Sequence, residues 1–162
     1  MMKKMRAALV LVLCMLVSCA MAEGPRLMVE LPDDALMIES FEFDDGDFVQ
    51  TYQLPDGVRV QMLRYASFDM TLEELAEGEW TGYSEAQRLE LGEIGGCPAQ
   101  AMRLTDEQGS VIVYTMMAKA KEQTLIFQAV FPKALGEERI SADINAWLGT
   151  MRVSNTESEE VG

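Results

Sequence analysis

The run Thr-Leu-Ile-Phe-Gln-Ala-Val-Phe at positions 124–131 restricts the fold more than any other stretch of the chain. Leu125, Phe127, Ala129 and Phe131 alternate onto one face, and Ile126 and Val130 take the other. Between Leu125 and Phe131 only Gln128 is plainly polar. A strand that is apolar on both faces has to be covered on both, so this run predicts a central strand with packing layers above and below its sheet.

Its surroundings supply those neighbours. Residues 110–118 are long and apolar, with Val111, Val113 and Thr115 set against Ile112, Tyr114 and Met116. Residues 100–105 alternate in the same way, and turns are expected at 106–109 and 119–123. Pro132 stops the central run. A helix is expected from about Ser141, with Ile140, Ile144, Trp147, Leu148 and Met151 on one side, a stripe that has to lie on the sheet.

The first half reads as a meander. Residues 37–43 suggest a strand with Ile38, Phe41 and Phe43 inward, then Asp45-Gly46 turns the chain. Residues 48–54 return, and Pro55-Asp56-Gly57 turns it again. Val58, Val60 and Met62 then alternate with Arg59, Gln61 and Leu63. Thr71 followed by Glu74 forms a capping box that starts a short helix with Leu72, Leu75 and Ala76 on its stripe. Residues 84–88 fit either a strand or a loop. The order strands, short helix, strands, long helix argues for α+β rather than alternating βαβ units.

Gly95-Gly96-Cys97-Pro98-Ala99 leads into the three later strands, Pro132 and the terminal helix. In that order the chain resembles the PsbP-like fold, shared by an extrinsic photosystem protein and small bacterial exported lipoproteins. Gly96-Cys97-Pro98-Ala99 echoes that fold's Gly-x-Pro-Ala turn, and Thr150-Met151-Arg152-Val153 loosely echoes its closing Ser-x-x-Phe stretch. The resemblance covers about residues 29–153. It implies an antiparallel sheet between helices, an α/β/α sandwich, in an exported domain that binds or supports something, usually without catalysis.

The N-terminus points to the same compartment. Lys3, Lys4 and Arg6 precede an uncharged run over 7–17, too short to cross a bilayer and suited to a secretory signal. Leu16-Val17-Ser18-Cys19 resembles a bacterial lipobox, which implies a signal peptide over 1–18 and a lipid on Cys19. Ala20-Met21-Ala22 offers a second ending at 22, which would leave a secreted or periplasmic protein without an anchor. Residues 19–28 are then a tether, 29–153 a single domain and 154–162 a loose acidic tail.

Removing the leader with its three cations leaves 10 basic against 27 acidic side chains, a net charge of −17. That field excludes nucleic acid as a partner and leaves membrane attachment to acyl chains. A basic envelope protein or a small ligand remains compatible with it. The chain has no histidine, so the usual Ser-His and Cys-His nucleophile pairs are absent. Gly92, Gly95 and Gly96 make no phosphate loop, since no Lys-Ser/Thr follows, and no cofactor is expected. Cys97 is the only cysteine left after processing, so it has no partner for an intramolecular disulfide.

Asp44, Asp45 and Asp47 are weak candidates for a divalent cation, because a single hairpin tip does not usually enclose one. Trp80 and Tyr83, flanking the glycines of 78–83, are the candidate partner-binding residues, whereas Trp147 belongs to the terminal helix stripe. The expected function is a non-catalytic extracytoplasmic binding domain anchored at the cell envelope. A carboxylate-based hydrolase and a weak cation binder are the alternatives.

Overall fold

The computed structural model describes residues 24–66 and 69–154. The expected signal peptide with Cys19, and the expected tail beyond Ser154, lie outside the described residues. Residues 25–155 form one compact unit. Its strands are β1 (Arg26–Met28), β2 (Leu36–Glu42), β3 (Phe48–Gln53), β4 (Arg59–Tyr65), β5 (Tyr83–Ile94), β6 (Cys97–Asp106), β7 (Val111–Ala120), β8 (Gln123–Pro132) and β9 (Arg152–Ser154). Two helices accompany them, α1 (Leu72–Glu77) and α2 (Glu137–Thr150).

Seven strands form an antiparallel sheet in the order β2-β3-β4-β8-β7-β6-β5, so β8 lies at its centre, as the two-sided apolar run requires. The sheet consists of two meanders joined where β4 meets β8. The chain leaves β4 at Tyr65 and has to reach β5 at the far edge. It does so across one face of the sheet, and α1 is the piece of that crossover that packs down on β6 and β7. After β8 the chain turns onto the opposite face as α2. β9 then pairs with β1, bringing the two ends of the fold side by side.

The face under α2 is the main core. Phe127 and Phe131 are fully buried there, Trp147 stacks on Phe131 at 5.7 Å between ring centroids, and Phe127 meets Trp147 edge-on at 6.0 Å. Each such aromatic removes enough apolar surface from water to stabilise the fold by about 1.5–3 kcal/mol. Ile140 and Ile144 complete the helix stripe, and Val60, Met62, Met116 and Ala129 form the floor beneath it.

The other face is covered only in part. Leu75 of α1 packs on Met102, Leu104, Val113 and Met117, but a six-residue helix cannot roof seven strands. The expected α/β/α sandwich is therefore incomplete. The fold is β-rich, with a full helical layer on one side and a single short helix over β6 and β7 on the other.

Three further expectations are corrected, and the open reading of residues 84–88 is resolved. Arg26–Met28, read as tether, is strand β1, paired residue by residue with Arg152–Ser154. α2 begins at Glu137 rather than near Ser141, because a 3-10 turn over Lys133–Leu135 and Gly136 at φ +84 launch it earlier, with Glu137 and Glu138 in its favourable first turn. Residues 84–88 belong to a continuous β5. Ile38, Phe41 and Phe43, read as inward, are exposed, because β2, which Phe43 follows, is an edge strand over which no described residues form a layer.

Gly95 shows why the turn before β6 needs glycine. It sits at φ +55, and a Cβ there would fall 2.7 Å from the backbone nitrogen of Val153. A side chain at that position would have to displace the backbone of β9.

Candidate functional site

In an antiparallel pair, residues directly opposite each other point to the same face, so the register places a row of side chains across the face of the sheet that carries α1. Glu39 of β2 opposes Thr51 of β3, which opposes Gln61 of β4. Gln61 opposes Gln128 of β8, and Gln128 opposes Thr115 of β7. A polar row thus crosses five strands of that face. It is partly wired together: Gln61 Nε2 donates to Thr51 Oγ1 at 3.2 Å, and Thr51 Oγ1 donates to Glu39 Oε2 at 2.9 Å. The next row is apolar, running from Phe41 through Val49 and Leu63 to Ile126 and Met117.

Where these rows approach α1 the surface sinks into a groove of about 310 Å³. Gln61, Gln128 and Thr115 line it with uncharged hydrogen-bonding groups, and Leu63 and Ile126 with apolar ones. Leu75, Met70 and Trp80 are on its α1 side. Among the described lining residues none carries a charge.

Trp80 follows α1 and is half-buried, resting against the small apolar cluster that holds the helix to the sheet. Its indole Nε1 is shielded from water and has no hydrogen-bond partner. Tyr83, at the start of β5, meets the Trp80 ring edge-on at 6.4 Å and packs on the same cluster. The structure thus brings both sequence-predicted residues together, with Trp80 in the groove wall and Tyr83 supporting it from behind.

The wall is held at its base by the predicted capping box. Glu74 N donates to Thr71 Oγ1 at 3.1 Å, and Thr71 N donates to Glu74 Oε2 at 2.7 Å. The backbone amide of Thr71, with the Thr71 side chain adding to it, holds the Glu74 carboxyl below its ordinary pKa. This is the opposite of the raised value that a carboxylic acid needs to serve as a general acid near neutrality.

The acidic hairpin tip has other work. Asp45 Oδ1 accepts from Asp47 N at 3.1 Å, and Asp47 Oδ1 accepts from Ala66 N at 2.8 Å, so both carboxylates fasten the turn. Asp44 lies beside them without joining a ligand set. Among the described residues no group of three acidic or cysteine side chains is placed to hold a metal ion. Cys97 is partly exposed at the Gly95-Gly96 turn and packs against the main core.

Sequence reasoning missed Gln61, Thr115 and Gln128. The available signal was Gln128 itself, the one plainly polar side chain inside an apolar central run.

No protein-family model matches the chain, and no curated protein matches it. Among solved structures, LpqN of Mycobacterium tuberculosis, described as involved in cell envelope biogenesis, is similar over 83% of this chain and 87% of its own. The identity is 14% and the TM-score 0.46, a partial likeness of arrangement on which no functional argument rests. Among the described residues no helix is long and apolar enough to cross a membrane.

Proposed function

We propose that the chain is a non-catalytic extracytoplasmic binding domain of PsbP-like type, held at the cell envelope by a lipid on Cys19, and that it binds through the groove beside Trp80. The observation that carries this reading is the uncharged groove, with Gln61, Thr115 and Gln128 in its lining and a tryptophan in its wall. Amides and hydroxyls on rigid strands fix an occupant's orientation, and the apolar groups beside them supply contact area. This chemistry suits a neutral, partly apolar small molecule or a loop of an envelope protein.

The unpartnered Trp80 Nε1 supports the same reading. A shielded donor without an acceptor costs free energy, and a turn of the indole toward an occupant would satisfy it. The lipobox over residues 16–19 supports the anchor. A lipid-linked acidic domain would stand off an anionic bilayer with its groove in water.

Crosslinking in intact cells, comparing the wild type with Trp80→Ala, tests the binding site. The expected result is loss of the wild-type crosslinked partner with the melting temperature little changed. An identical partner set at identical yield, from a W80A domain that is strongly destabilised, would show that Trp80 is only core. Intact-mass measurement of protein recovered from membranes tests the anchor, and a free N-terminus at Glu23 without lipid mass would refute it.

A further inference from the structure

The two edges of the seven-stranded sheet are built differently, and the difference marks a second binding surface. The β5 edge is guarded. Glu85, Arg88, Glu90 and Glu93 lie along it, its register against β6 shifts twice, and Gly92 bends it at φ +74. Charges and bulges of this kind keep a free edge from pairing with another chain. The β2 edge carries Glu39 and Glu42, but its apolar side chains outnumber them. Leu36, Met37, Ile38 and Phe41, with Phe43 just beyond the strand, are 53–68% exposed, and they fall on both faces. Its single register shift lies between Met37 and Glu39, and residues 39–42 run unbroken against β3.

We propose that the β2 edge is a docking strand for an extended, basic segment of a partner protein, which joins the sheet alongside β2. Main-chain hydrogen bonds along this edge, which no described strand pairs, would supply affinity, and apolar side chains of the incoming strand would cover Ile38 and Phe41. The charge around the edge selects the occupant. Between Glu30 and Asp47 the chain has eight acidic side chains and no basic one. Glu42 is neutralised by Arg26 at 3.2 Å and Arg64 at 2.8 Å, and both of those cations lie outside that segment. A second copy pairing edge to edge would bring two such acidic segments together, and an anionic bilayer would repel them. A strand carrying lysine or arginine meets complementary charge instead.

Fluorescence anisotropy on the purified protein tests this with a labelled short peptide of alternating lysine and valine and its glutamate-valine counterpart. The lysine peptide is expected to bind, to weaken as salt rises, and to lose more than about tenfold in affinity in Ile38→Lys and Phe41→Lys. Both substituted positions are exposed, so melting temperatures are expected to stay at the wild-type value. Trp80→Ala should leave this binding intact, which separates the edge from the groove. Failure of the lysine peptide to bind, or equal binding of the two peptides untouched by I38K and F41K, would overturn the proposal. So would a dimer in sedimentation that F41K disperses, which would assign the edge to a second copy. Binding to neutral or anionic lipid vesicles that F41K abolishes would assign it to a membrane and overturn the proposal equally.

Discussion

The two faces of the central sheet come from the same strands and are finished differently. Under α2, Val60 and Met62 of β4, Tyr114 and Met116 of β7 and Phe127 and Phe131 of β8 are buried, and Trp147 locks onto the two phenylalanines at the centre. On the opposite face the same three strands present Gln61, Thr115 and Gln128, and the covering helix stops short of them. A strand's two faces are independent because successive side chains point apart. One set of strands can therefore carry a closed core on one side and a receptive floor on the other, without either compromising the other's packing.

The sharpest way to break that contrast is to remove the aromatic lock. Trp147→Ala is expected to destabilise the domain by about 3–5 kcal/mol, because it deletes a buried ring and leaves a cavity between Phe127 and Phe131. Urea unfolding would measure it. A loss below about 1 kcal/mol would mean that the closed face is not the main source of stability.

The open face should be far more tolerant. Thr71→Ala removes one side of the capping box at the base of α1 and should cost about 1 kcal/mol. Its larger effect should be local. Amides of α1 should exchange with solvent faster while those of β7 and β8 keep their protection, a difference readable by hydrogen exchange. Uniform loss of protection would show that α1 and the core open together.

The smallest expected effect is that of acid. The Glu74 carboxyl is lowered by the Thr71 amide, and that of Asp106 by the amide of Val111, with Ser110 adding further bonds. A carboxyl that is lowered in the folded state contributes its stability fully above its unfolded pKa. The contribution is lost as pH falls through the folded value, so stability should decline only below about pH 4. Glu74 is exposed and Asp106 only partly buried, so the decline should be shallow. Thr71→Ala should flatten it further, and a steep loss above pH 5 would point to some other titrating group.

Much of the closed face was legible in the sequence because its signals are local. The two-sided run ending at Phe131 declared a central strand, the stripe through Ile144 and Trp147 declared its cover, and Thr71 with Glu74 marked a helix start. The open face was harder, since it depends on which strands become neighbours. Gln61, Thr115 and Gln128 are far apart in the chain and meet only because β4 pairs with β8 rather than with β5. Ile38 and Phe41 illustrate the same limit. An alternating apolar pattern shows that a segment is a strand, but whether a layer covers it is decided by its position in the sheet. Trp80 and Tyr83 were found because aromatic rings beside glycines stand out locally, but the floor that gives Trp80 its setting was not visible from them.

The pairing of β1 with β9 has a mechanical meaning. Arg26 lies opposite Ser154 and Met28 opposite Arg152, so the chain enters and leaves the fold at the same end of a three-rung ribbon. Tension applied between the two termini would not shear the ribbon with all rungs loaded at once. It would peel them one after another from Arg26 inward, the way a zipper opens from its tab. The ribbon would yield at low force while the seven-stranded sheet remained closed, giving the domain a yielding joint where its two ends meet.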